Sequence, residues 1–454
     1  MYRFRITGTD NTNPYEELIK VFLQPGEYEL LRDADSEAST VQKLRPDGSG
    51  DDVITFVHQQ DKNRTKRDIY RTLQKLTGKS PKWGILTGIR PVKLVPLHSE
   101  TELKEEYLIS DEKYQLIKGI HQYQQDTAGQ PKRNSFSMYI GIPFCPTRCL
   151  YCSFTSNQVK EEEYDRYLQA LYKEIEYAGE AAAKAGNVLE SLYFGGGTPT
   201  TLNEEQLQKL LHKVSEAFDL SHLQEYTVEA GRPDTITEGK MQVLEEMGVD
   251  RVSINPQTMK QETLEIIGRR HTVEDVYKAF EIVGKSGIQI INSDLIAGLP
   301  GESEEDFTHS LQEILRLGAN NVTLHTLAVK RASRLKETDE TYNYRTEELC
   351  ESMLEAGHRI LGDEGFTPYY LYRQKHTSGN TENTGFCKDN TPSIYNIRIM
   401  EEAQSILALG AGGISKIYFP DENRLERVAN VSNYEIYIDR IDEMIKRKES
   451  GYFI

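Results

Sequence analysis

The sequence predicts an α/β fold: a partial (β/α)6 TIM-like barrel, preceded by an N-terminal α+β domain and followed by a mostly helical C-terminal extension. Three observations lead to this prediction. Apolar, strand-like runs alternate with helical patterns through the middle of the chain. Polar and glycine-rich clusters stand at the ends of those runs, and the pattern changes on either side of them. Such alternation is typical of consecutive right-handed βαβ units and a parallel sheet.

The chain divides into three regions. Residues 1–130 alternate short apolar runs with charged stretches, and we interpret them as an accessory α+β domain. Residues 135–335 hold the predicted barrel. Residues 336–454, in which helical patterns alternate with polar, irregular segments, are interpreted as a region that covers the substrate. Its predicted elements are two helices, at 343–362 and 433–448, and a glycine-rich turn at 409–413.

The barrel's elements follow one another in chain order. The strands are predicted at 138–144, 190–196, 225–231, 251–257, 288–298 and 321–329. The helices between them are predicted at 162–185, 203–218, 238–247, 273–286 and 303–317. Because six units are fewer than the eight of a closed TIM barrel, we expect a curved sheet that does not close on itself.

Polar residues that could take part in binding or catalysis lie at or near the carboxyl ends of these strands. Three cysteines follow the first strand, and the segment 195–199 (Gly-Gly-Gly-Thr-Pro) follows the second. The next three predicted strands contain Glu229, Gln257 and Asp294, in that order. A carboxylate within an apolar strand is costly unless it is paired or bound to a ligand. Since functional groups collect at this edge of such sheets, we expect a single site there.

Composition limits the classes of partner. The net charge is -17, from 54 basic and 71 acidic residues, which argues against nucleic-acid binding through general electrostatics. Ten Lys/Arg residues and one acid lie between Lys62 and Lys93, indicating either a local anionic partner or a solvated helix face. The sequence has no secretory signal pattern and no apolar run of about 18 residues, so we expect no membrane span and a cytoplasmic location.

Three of the five cysteines, Cys145, Cys149 and Cys152, form a C-x3-C-x2-C cluster. Thiolates are the usual ligands of iron–sulfur clusters, and a cubane normally takes four. Three on one loop leave one iron open to a small molecule. Structural zinc takes four closed ligands, usually as two separated pairs, and Cys350 and Cys387 have no paired spacing. The pattern therefore favours a [4Fe–4S] cluster over zinc.

The cysteine motif, with Tyr151 directly before its last cysteine, resembles that of the radical S-adenosylmethionine (SAM) superfamily. The resemblance implies a radical SAM barrel with a [4Fe–4S] cluster and SAM as cofactors. It implies that SAM chelates the open iron and is cleaved to methionine and a 5′-deoxyadenosyl radical, which abstracts a substrate hydrogen. It also implies an electron donor such as flavodoxin or ferredoxin.

Within that superfamily the chain is similar to the oxygen-independent coproporphyrinogen III dehydrogenase family. Residues 139–145 resemble the family's Y-x-H-I-P-F-C, with Gly141 where many members have histidine. The glycine segment at 195–199 and the segment Asp-Leu-Ile-x-Gly-Leu-Pro at 294–300 also match. Across the whole chain the resemblance is to the HemZ branch, through segments at 83–91, 229–234, 372–375 and 407–416.

The resemblance assigns roles to individual residues. SAM-binding residues are expected at Gly196, Gly197, Thr198, Glu229, Gln257, Arg269 and Asp294. Among these, Glu229 is expected at the SAM amine, Arg269 at its carboxylate, and Asp294 near the adenosine. Tyr139 is expected to act as a catalytic residue near the cluster. The structural alternatives are a core-filling Tyr139, a rim Gln257 and a helix-surface Arg269, and His325 is left undecided between a structural and a functional role.

The family's reaction is oxidative decarboxylation of two propionates of coproporphyrinogen III, which gives protoporphyrinogen IX in haem biosynthesis. A tetrapyrrole substrate with four carboxylates needs cationic anchors, and the candidates are Arg232, Arg331, Arg373 and Lys375. One departure matters: Phe154 stands where some family members have a further cysteine.

Two alternatives remain. The first is a haem chaperone, a branch that shares C-x-F but typically has H-N-x-x-Y-W near the C-terminus. The corresponding segment here, 395–400, has neither the histidine nor the Tyr-Trp pair, which counts against a chaperone. The second is another radical SAM reaction on a tetrapyrrole, such as methylation or ring opening.

Overall fold

The structure is a computed structural model that describes residues 1–31, 53–88, 90–154, 156–329, 335, 342, 346–374, 377 and 380–451. Two predicted substrate residues, Arg331 and Lys375, lie outside these described residues. In the described part of the chain, no helix combines the length and the apolar character that are needed to cross a membrane.

The N-terminal region has a sheet of its own. Its elements are β1 (Tyr2–Thr7), α1 (Asn13–Phe22), β2 (Tyr28–Leu31), β3 (Val53–Val57), α2 (Lys62–Thr77) and α3 (Asp111–Thr127). β1 lies between β2 and β3, and all three strands are parallel. Apolar residues of β1, α1 and α2, among them Phe4, Leu18 and Ile69, form a core that is separate from the barrel's.

The barrel contains six parallel strands that pair in chain order, as predicted. They are β4 (Ser135–Ile142), β5 (Val188–Gly196), β6 (Glu225–Glu229), β7 (Arg251–Ser253), β8 (Ile290–Ala297) and β9 (Asn321–Thr326). The helices are α4 (Glu161–Lys184), α5 (Glu204–Ala217), α6 (Glu238–Glu246), α7 (Gln261–Ile266), α8 (Val273–Gly284) and α9 (Glu304–Arg316). The predicted α/β partial barrel is therefore confirmed. The short α7 was not predicted, and β7 ends four residues earlier than expected.

The C-terminal region contains the predicted helices and, in addition, five strands that were not predicted. The helices are α10 (Glu347–Asp363), α11 (Ile394–Glu401), α12 (Tyr434–Asp439) and α13 (Ile441–Gly451). The strands are β10 (Thr367–Arg373), β11 (Glu382–Cys387), β12 (Ser405–Leu409), β13 (Ile414–Phe419) and β14 (Arg424–Ala429). The resulting sheet has eleven strands in the order β10-β11-β9-β8-β7-β6-β5-β4-β12-β13-β14. The open barrel thus has both edge strands, β4 and β9, covered by strands from this region.

A buried polar network attaches the last helices to the barrel. Lys448 of α13 and Glu174 of α4 are both fully buried, and their Nζ and Oε1 atoms are 2.7 Å apart. Tyr437 Oη–H and the main-chain N–H of Gly410 also donate to the Glu174 carboxylate, at 2.6 and 2.8 Å. Gly410 belongs to the glycine-rich turn between β12 and β13, so one carboxylate joins that turn to α4, α12 and α13.

Candidate functional site

A cavity of about 480 Å³ opens at the carboxyl ends of the parallel strands. It brings together most of the predicted site residues: Tyr139, Cys145, Cys149, Cys152, Gly196, Gly197, Thr198, Glu229, Arg232, Gln257, Arg269 and Asp294. Residues of β10 and α11 line its other side. A larger cavity of about 670 Å³, between the N-terminal region and α10, contains none of the predicted site residues. The chemistry of the side chains therefore selects the smaller cavity.

The three cysteines lie on the loop that follows β4, and all of them line the cavity. The loop is held by main-chain hydrogen bonds, from Cys145 N–H to Asn157 O at 3.1 Å and from Leu150 N–H to Ile267 O at 2.9 Å. Burial raises the pKa of the Cys145 thiol to about 11, so cluster binding would release a proton there.

The spacing of these thiols can also be compared with that of a single-metal site. Within the described ranges, no three His, Cys, Asp or Glu side chains converge as the ligands of one metal ion do. In an iron–sulfur cubane each thiolate binds a different iron, so the three sulfurs need only surround the cluster. The loop could hold such a cluster.

The triple glycine at the end of β5 packs closely against the cysteine loop. The N–H groups of Gly197 and Thr198 donate to Ile142 O and Phe144 O at 2.8 and 2.7 Å. A Cβ atom on Gly197 would lie 2.3 Å from Phe144 O, and Gly196 has a φ of 112°. Glycine is therefore required here for backbone packing, and the bare turn also gives a ligand access to main-chain atoms.

Glu229, at the end of β6, faces the cavity. Tyr193 Oη–H donates to its Oε1 at 2.6 Å, and the N–H of Gly196 donates to the carboxylate as well. Burial raises the pKa of Glu229 to about 7, and the nearby charge of Asp294 adds to the rise, against the lowering effect of the two donors. A buried carboxylate with a raised pKa is stabilised by a cationic ligand or by a ligand that donates a hydrogen bond.

Asp294, in β8, has partners on both oxygens. Asn292 Nδ2–H donates to Oδ1 at 2.9 Å, and His325 Nε2 lies 3.5 Å from Oδ2. Burial alone would raise its pKa, but His325 and the hydrogen-bond donors around it outweigh burial and hold the pKa of Asp294 below its usual value. Gln257 is adjacent: its N–H donates to Asp294 O at 3.1 Å, and its φ of 71° is unusual for a non-glycine residue.

Arg269 is buried rather than on a helix surface. Its Nη1 donates to Asn255 O at 2.5 Å, and its Nη2 donates to Tyr151 Oη at 3.4 Å. Its Nε is buried and has no hydrogen-bond partner among the described residues. Burial lowers the pKa of Arg269, but Tyr151 and Cys149 more than reverse this and raise it. A ligand carboxylate would satisfy the remaining donor, which fits the predicted contact.

Two of the predicted substrate cations, Arg232 and Arg373, have different surroundings in the structure. Arg232 lines the cavity, but its Nη1 donates to Thr147 Oγ1 of the cysteine loop at 2.9 Å and its Nε pairs with Asp234 at 3.2 Å. Arg373 does not line the cavity. Its guanidinium stacks 5.1 Å from the Trp83 ring centroid and donates to Leu86 O, in the N-terminal region. The geometry gives no support for a substrate contact of Arg373, because alternate residues of a strand face opposite sides.

Sequence reasoning missed a group of tyrosines that line the cavity: Tyr193, Tyr370, Tyr372 and Tyr395. The rings of Tyr193 and Tyr395 are stacked, with centroids 4.6 Å apart and planes at 22°. Tyr370 and Tyr372 are nearly parallel, with centroids 6.4 Å apart. Their two-residue spacing in the segment 367–373 was a usable signal, since such residues share one face of a strand.

An open parallel barrel with a three-cysteine loop beside a glycine turn is the arrangement of a radical SAM protein, and residues 139–314 match the family model described as "Radical SAM superfamily". A Bacillus subtilis relative, "Oxygen-independent coproporphyrinogen-III oxidase-like protein HemZ", is 40% identical over 413 residues, covering 86% of this chain and 82% of the relative. The chain therefore belongs to the HemZ family of radical SAM proteins. A [4Fe–4S] cluster and SAM are the cofactors of this superfamily and of this chain.

Other relatives have other names. "Heme chaperone HemW" of Bacillus subtilis is 39% identical over 196 residues, which cover 43% of this chain and 51% of the relative. The Escherichia coli coproporphyrinogen III oxidase HemN, described as a radical SAM enzyme, has a similar fold with a TM-score of 0.56. It is 21% identical, over 72% of this chain and 73% of HemN. Oxidases and a chaperone thus stand among the relatives, and family membership does not decide the reaction.

Proposed function

We propose that this protein is a radical SAM enzyme that decarboxylates two propionates of coproporphyrinogen III oxidatively, forming protoporphyrinogen IX for haem biosynthesis. The observation that carries the proposal is one cavity in which the predicted SAM-binding residues adjoin a tyrosine-lined wall. A flavodoxin or ferredoxin is the proposed electron donor. The name of the HemZ relative agrees with this substrate class.

The cofactor half of the cavity has donors and acceptors suited to each part of SAM. We assign the cluster to Cys145, Cys149 and Cys152. The unpartnered Nε of Arg269 suits the SAM carboxylate, and Glu229 suits its amine. Gln257 and Asp294, which adjoin each other, are our proposed contacts for the ribose and the adenosine, and Gly196, Gly197 and Thr198 are proposed to contact SAM from the glycine turn. Bound together, cluster and SAM would supply a radical that abstracts a propionate hydrogen; loss of carbon dioxide and of one electron to an electron acceptor would then leave the vinyl group.

The substrate half suits a large ring system. The stacked tyrosine rings provide flat apolar surface, which is a suitable wall for pyrroles. The ring of Tyr139 is stacked on that of Tyr193, with centroids 6.2 Å apart. We propose that Tyr139 makes a catalytic contact there, between the cofactor half and the substrate half of the cavity.

Cationic anchors for the propionates are a separate question. Arg232 and Arg269 are the Arg and Lys residues that line the described part of the cavity, and both bind neighbouring loops. From the cavity residues Ala328 and Gln374 the chain continues directly into segments that contain Arg331 and Lys375. Those two cations therefore remain our proposed propionate partners.

A haem chaperone is the alternative, and the segment 395–400 bears on it. Tyr395, where chaperones typically have histidine, lines the cavity and stacks on Tyr193. Burial raises the pKa of Tyr395 strongly, with the charges of Glu229 and Glu225 adding to the rise. The chaperone's histidine is thus replaced here by a ring that is engaged in stacking. This residue therefore favours the enzyme over the chaperone.

The proposal is tested by anaerobic incubation of the reconstituted protein with SAM, a reductant and coproporphyrinogen III. We expect mass spectrometry to show successive loss of two carboxyl groups, together with formation of 5′-deoxyadenosine and methionine. Omitting SAM is the control and should leave the substrate unchanged. Tight haem binding without any change in coproporphyrinogen would replace the enzyme with the chaperone. Cleavage of SAM with a different tetrapyrrole product would support another radical reaction.

Glu229→Gln should weaken SAM binding about ten- to a hundred-fold while the cluster persists, because a charge-assisted hydrogen bond is worth roughly 1.5–3 kcal/mol. In the wild type, SAM affinity should also fall as the pH drops below about 7, since the pKa of Glu229 lies there and its protonation removes the charge. The variant should lose that pH dependence. Equilibrium dialysis of SAM at several pH values measures both effects, with the exposed Glu281→Gln as matched control. Unchanged affinity would make Glu229 structural.

A further inference from the structure

A chain of polar contacts runs along the cavity wall from the cofactor half to the substrate half. Asp294 Oδ2 lies 3.5 Å from His325 Nε2, and His325 Nδ1 lies 3.2 Å from Tyr372 Oη. Tyr372 Oη in turn accepts a hydrogen bond from Gln374 Nε2 at 3.3 Å. All four side chains line the cavity. The chain therefore begins at a carboxylate and ends at an amide.

Counting donors and acceptors gives this chain a direction. The Asp294 carboxylate can only accept, so His325 donates from Nε2, and in the neutral imidazole Nδ1 is then an acceptor. Tyr372 then donates its hydroxyl hydrogen to Nδ1, and its oxygen accepts from the Gln374 amide. The amide nitrogen of Gln374 is thus oriented by Tyr372, and its carbonyl oxygen is the last acceptor of the chain.

That last acceptor has no donor among the residues that the structure describes. Gln374 Oε1 is buried, and no described residue donates a hydrogen bond to it. A buried acceptor without a donor is unfavourable, so a ligand that brings a donor is stabilised at this position. The ligand must carry a donor, because a carboxylate or a carbonyl group would repel Oε1. The tyrosine rings on the same wall, Tyr370 and Tyr372, favour a donor that is carried by an aromatic ring such as a pyrrole.

We propose that Gln374 Oε1 accepts a hydrogen bond from a pyrrole N–H of the bound tetrapyrrole and thereby selects metal-free rings over metallated ones. The inference rests on the proposed substrate class. A porphyrinogen has four pyrrole N–H groups and a free porphyrin has two, whereas in haem all four nitrogens bind iron. A site built to hydrogen-bond a substrate N–H rejects an analogue that lacks it, since the site's own polar group is then left unpaired.

The test compares coproporphyrin III with its palladium(II) complex, which has the same four carboxylates, lacks the ring N–H groups and takes no axial ligand that could bind Gln374 Oε1. Both absorb visible light strongly, so anaerobic spectrophotometric titration of the reconstituted protein gives both dissociation constants. We expect the wild type to bind the metal-free ring about tenfold more tightly, as one hydrogen bond would give. Gln374→Leu should bring the two constants together. Gln374→Glu keeps an acceptor and should keep the preference.

Gln242→Leu makes the same change on the exposed face of α6 and is the control, expected to behave as the wild type. Equal affinity of the wild type for both rings would overturn the proposal. A fall in SAM affinity in Gln374→Leu, with the preference unchanged, would also overturn it and would identify the adenine amine as the donor. The ring preference and vinyl formation are separate measurements. A preference that depends on Gln374, without vinyl product, would refute the proposed reaction and leave this inference intact.

Discussion

Replacement of Cys145, Cys149 or Cys152 by alanine is expected to abolish SAM cleavage. All three thiols line one cavity on one loop, so each variant leaves two ligands for a cluster that already lacks a fourth protein ligand. Residues that act as a unit lose most of their effect when any one is removed, and we expect SAM cleavage to fall at least ~10³-fold in each variant. The readouts are iron content after anaerobic reconstitution, close to four per wild-type chain, and the yield of 5′-deoxyadenosine.

Cys350→Ala is the matched control. Cys350 is buried in α10 and does not line the cavity, so its variant should keep the iron and the cleavage activity. Activity that survives in any of the three loop variants would contradict the assignment of the cluster. Stoichiometric zinc in protein isolated without oxygen would overturn it altogether.

The parallel half of the sheet was predictable because its strands read as continuous apolar runs separated by helical patterns. Both signals are local and were sufficient for β4 to β9. In the C-terminal region, β12 has a short apolar run, Ile-Leu-Ala-Leu, that was not recognised as a strand, whereas β11 has none. β11, with the sequence Glu-Asn-Thr-Gly-Phe-Cys, is polar yet entirely buried, because its side chains bond to neighbours distant in sequence. One example is Glu382, which pairs with Lys113 of α3 across 269 positions. Contacts between residues so far apart in the chain produce no periodic pattern in the local sequence.

The site shows the same division. Residues at the ends of predicted strands, such as Glu229 and Asp294, could be placed at one edge because parallel strands bring their carboxyl ends together. For β10 the strand itself was not predicted, so its alternation was not used. Arg373 was proposed for the substrate, whereas Tyr372 and Gln374 on either side of it line the cavity. Successive residues of a strand face opposite sides of the sheet. Which of them face the cavity depends on the register of the strand, and the sequence alone does not give that register.

Buried polar networks could not be predicted from the sequence either. Arg398 lies in the segment that was compared with the chaperone motif, but its guanidinium is buried and binds Glu190 Oε2 at 2.8 Å. It also donates to the carbonyls of Ala128 and Gly129, between α3 and β4. The residue therefore joins the N-terminal region to the barrel. A sequence shows such an arginine only as one more charge near a helix.

Lys448→Met is expected to destabilise the protein by roughly 3–5 kcal/mol, the usual cost of leaving one member of a buried ion pair without its partner. Both Lys448 and Glu174 are fully buried, and the carboxylate is also the acceptor for Tyr437 and Gly410. Removing the cation leaves a charge that the interior cannot solvate. Anaerobic urea unfolding of wild type and variant measures the difference. The exposed helix pair gives the matched control, Lys285→Met, which should cause no measurable change.

The pH dependence identifies the cause of that loss. In the wild type, burial raises the pKa of Glu174, but Lys448, Tyr437 and Gly410 outweigh burial and hold it below its ordinary value. Its contribution is therefore present above the unfolded pKa of about 4.3 and is lost only as the pH falls through the folded value. Without Lys448 the folded pKa rises above the unfolded one, so the variant should lose stability as the pH rises from 5 to 8. Adding Glu174→Gln removes the buried charge and should restore most of the stability at pH 8. A loss that is independent of pH and persists in the double variant would mean that Lys448 acts through packing alone.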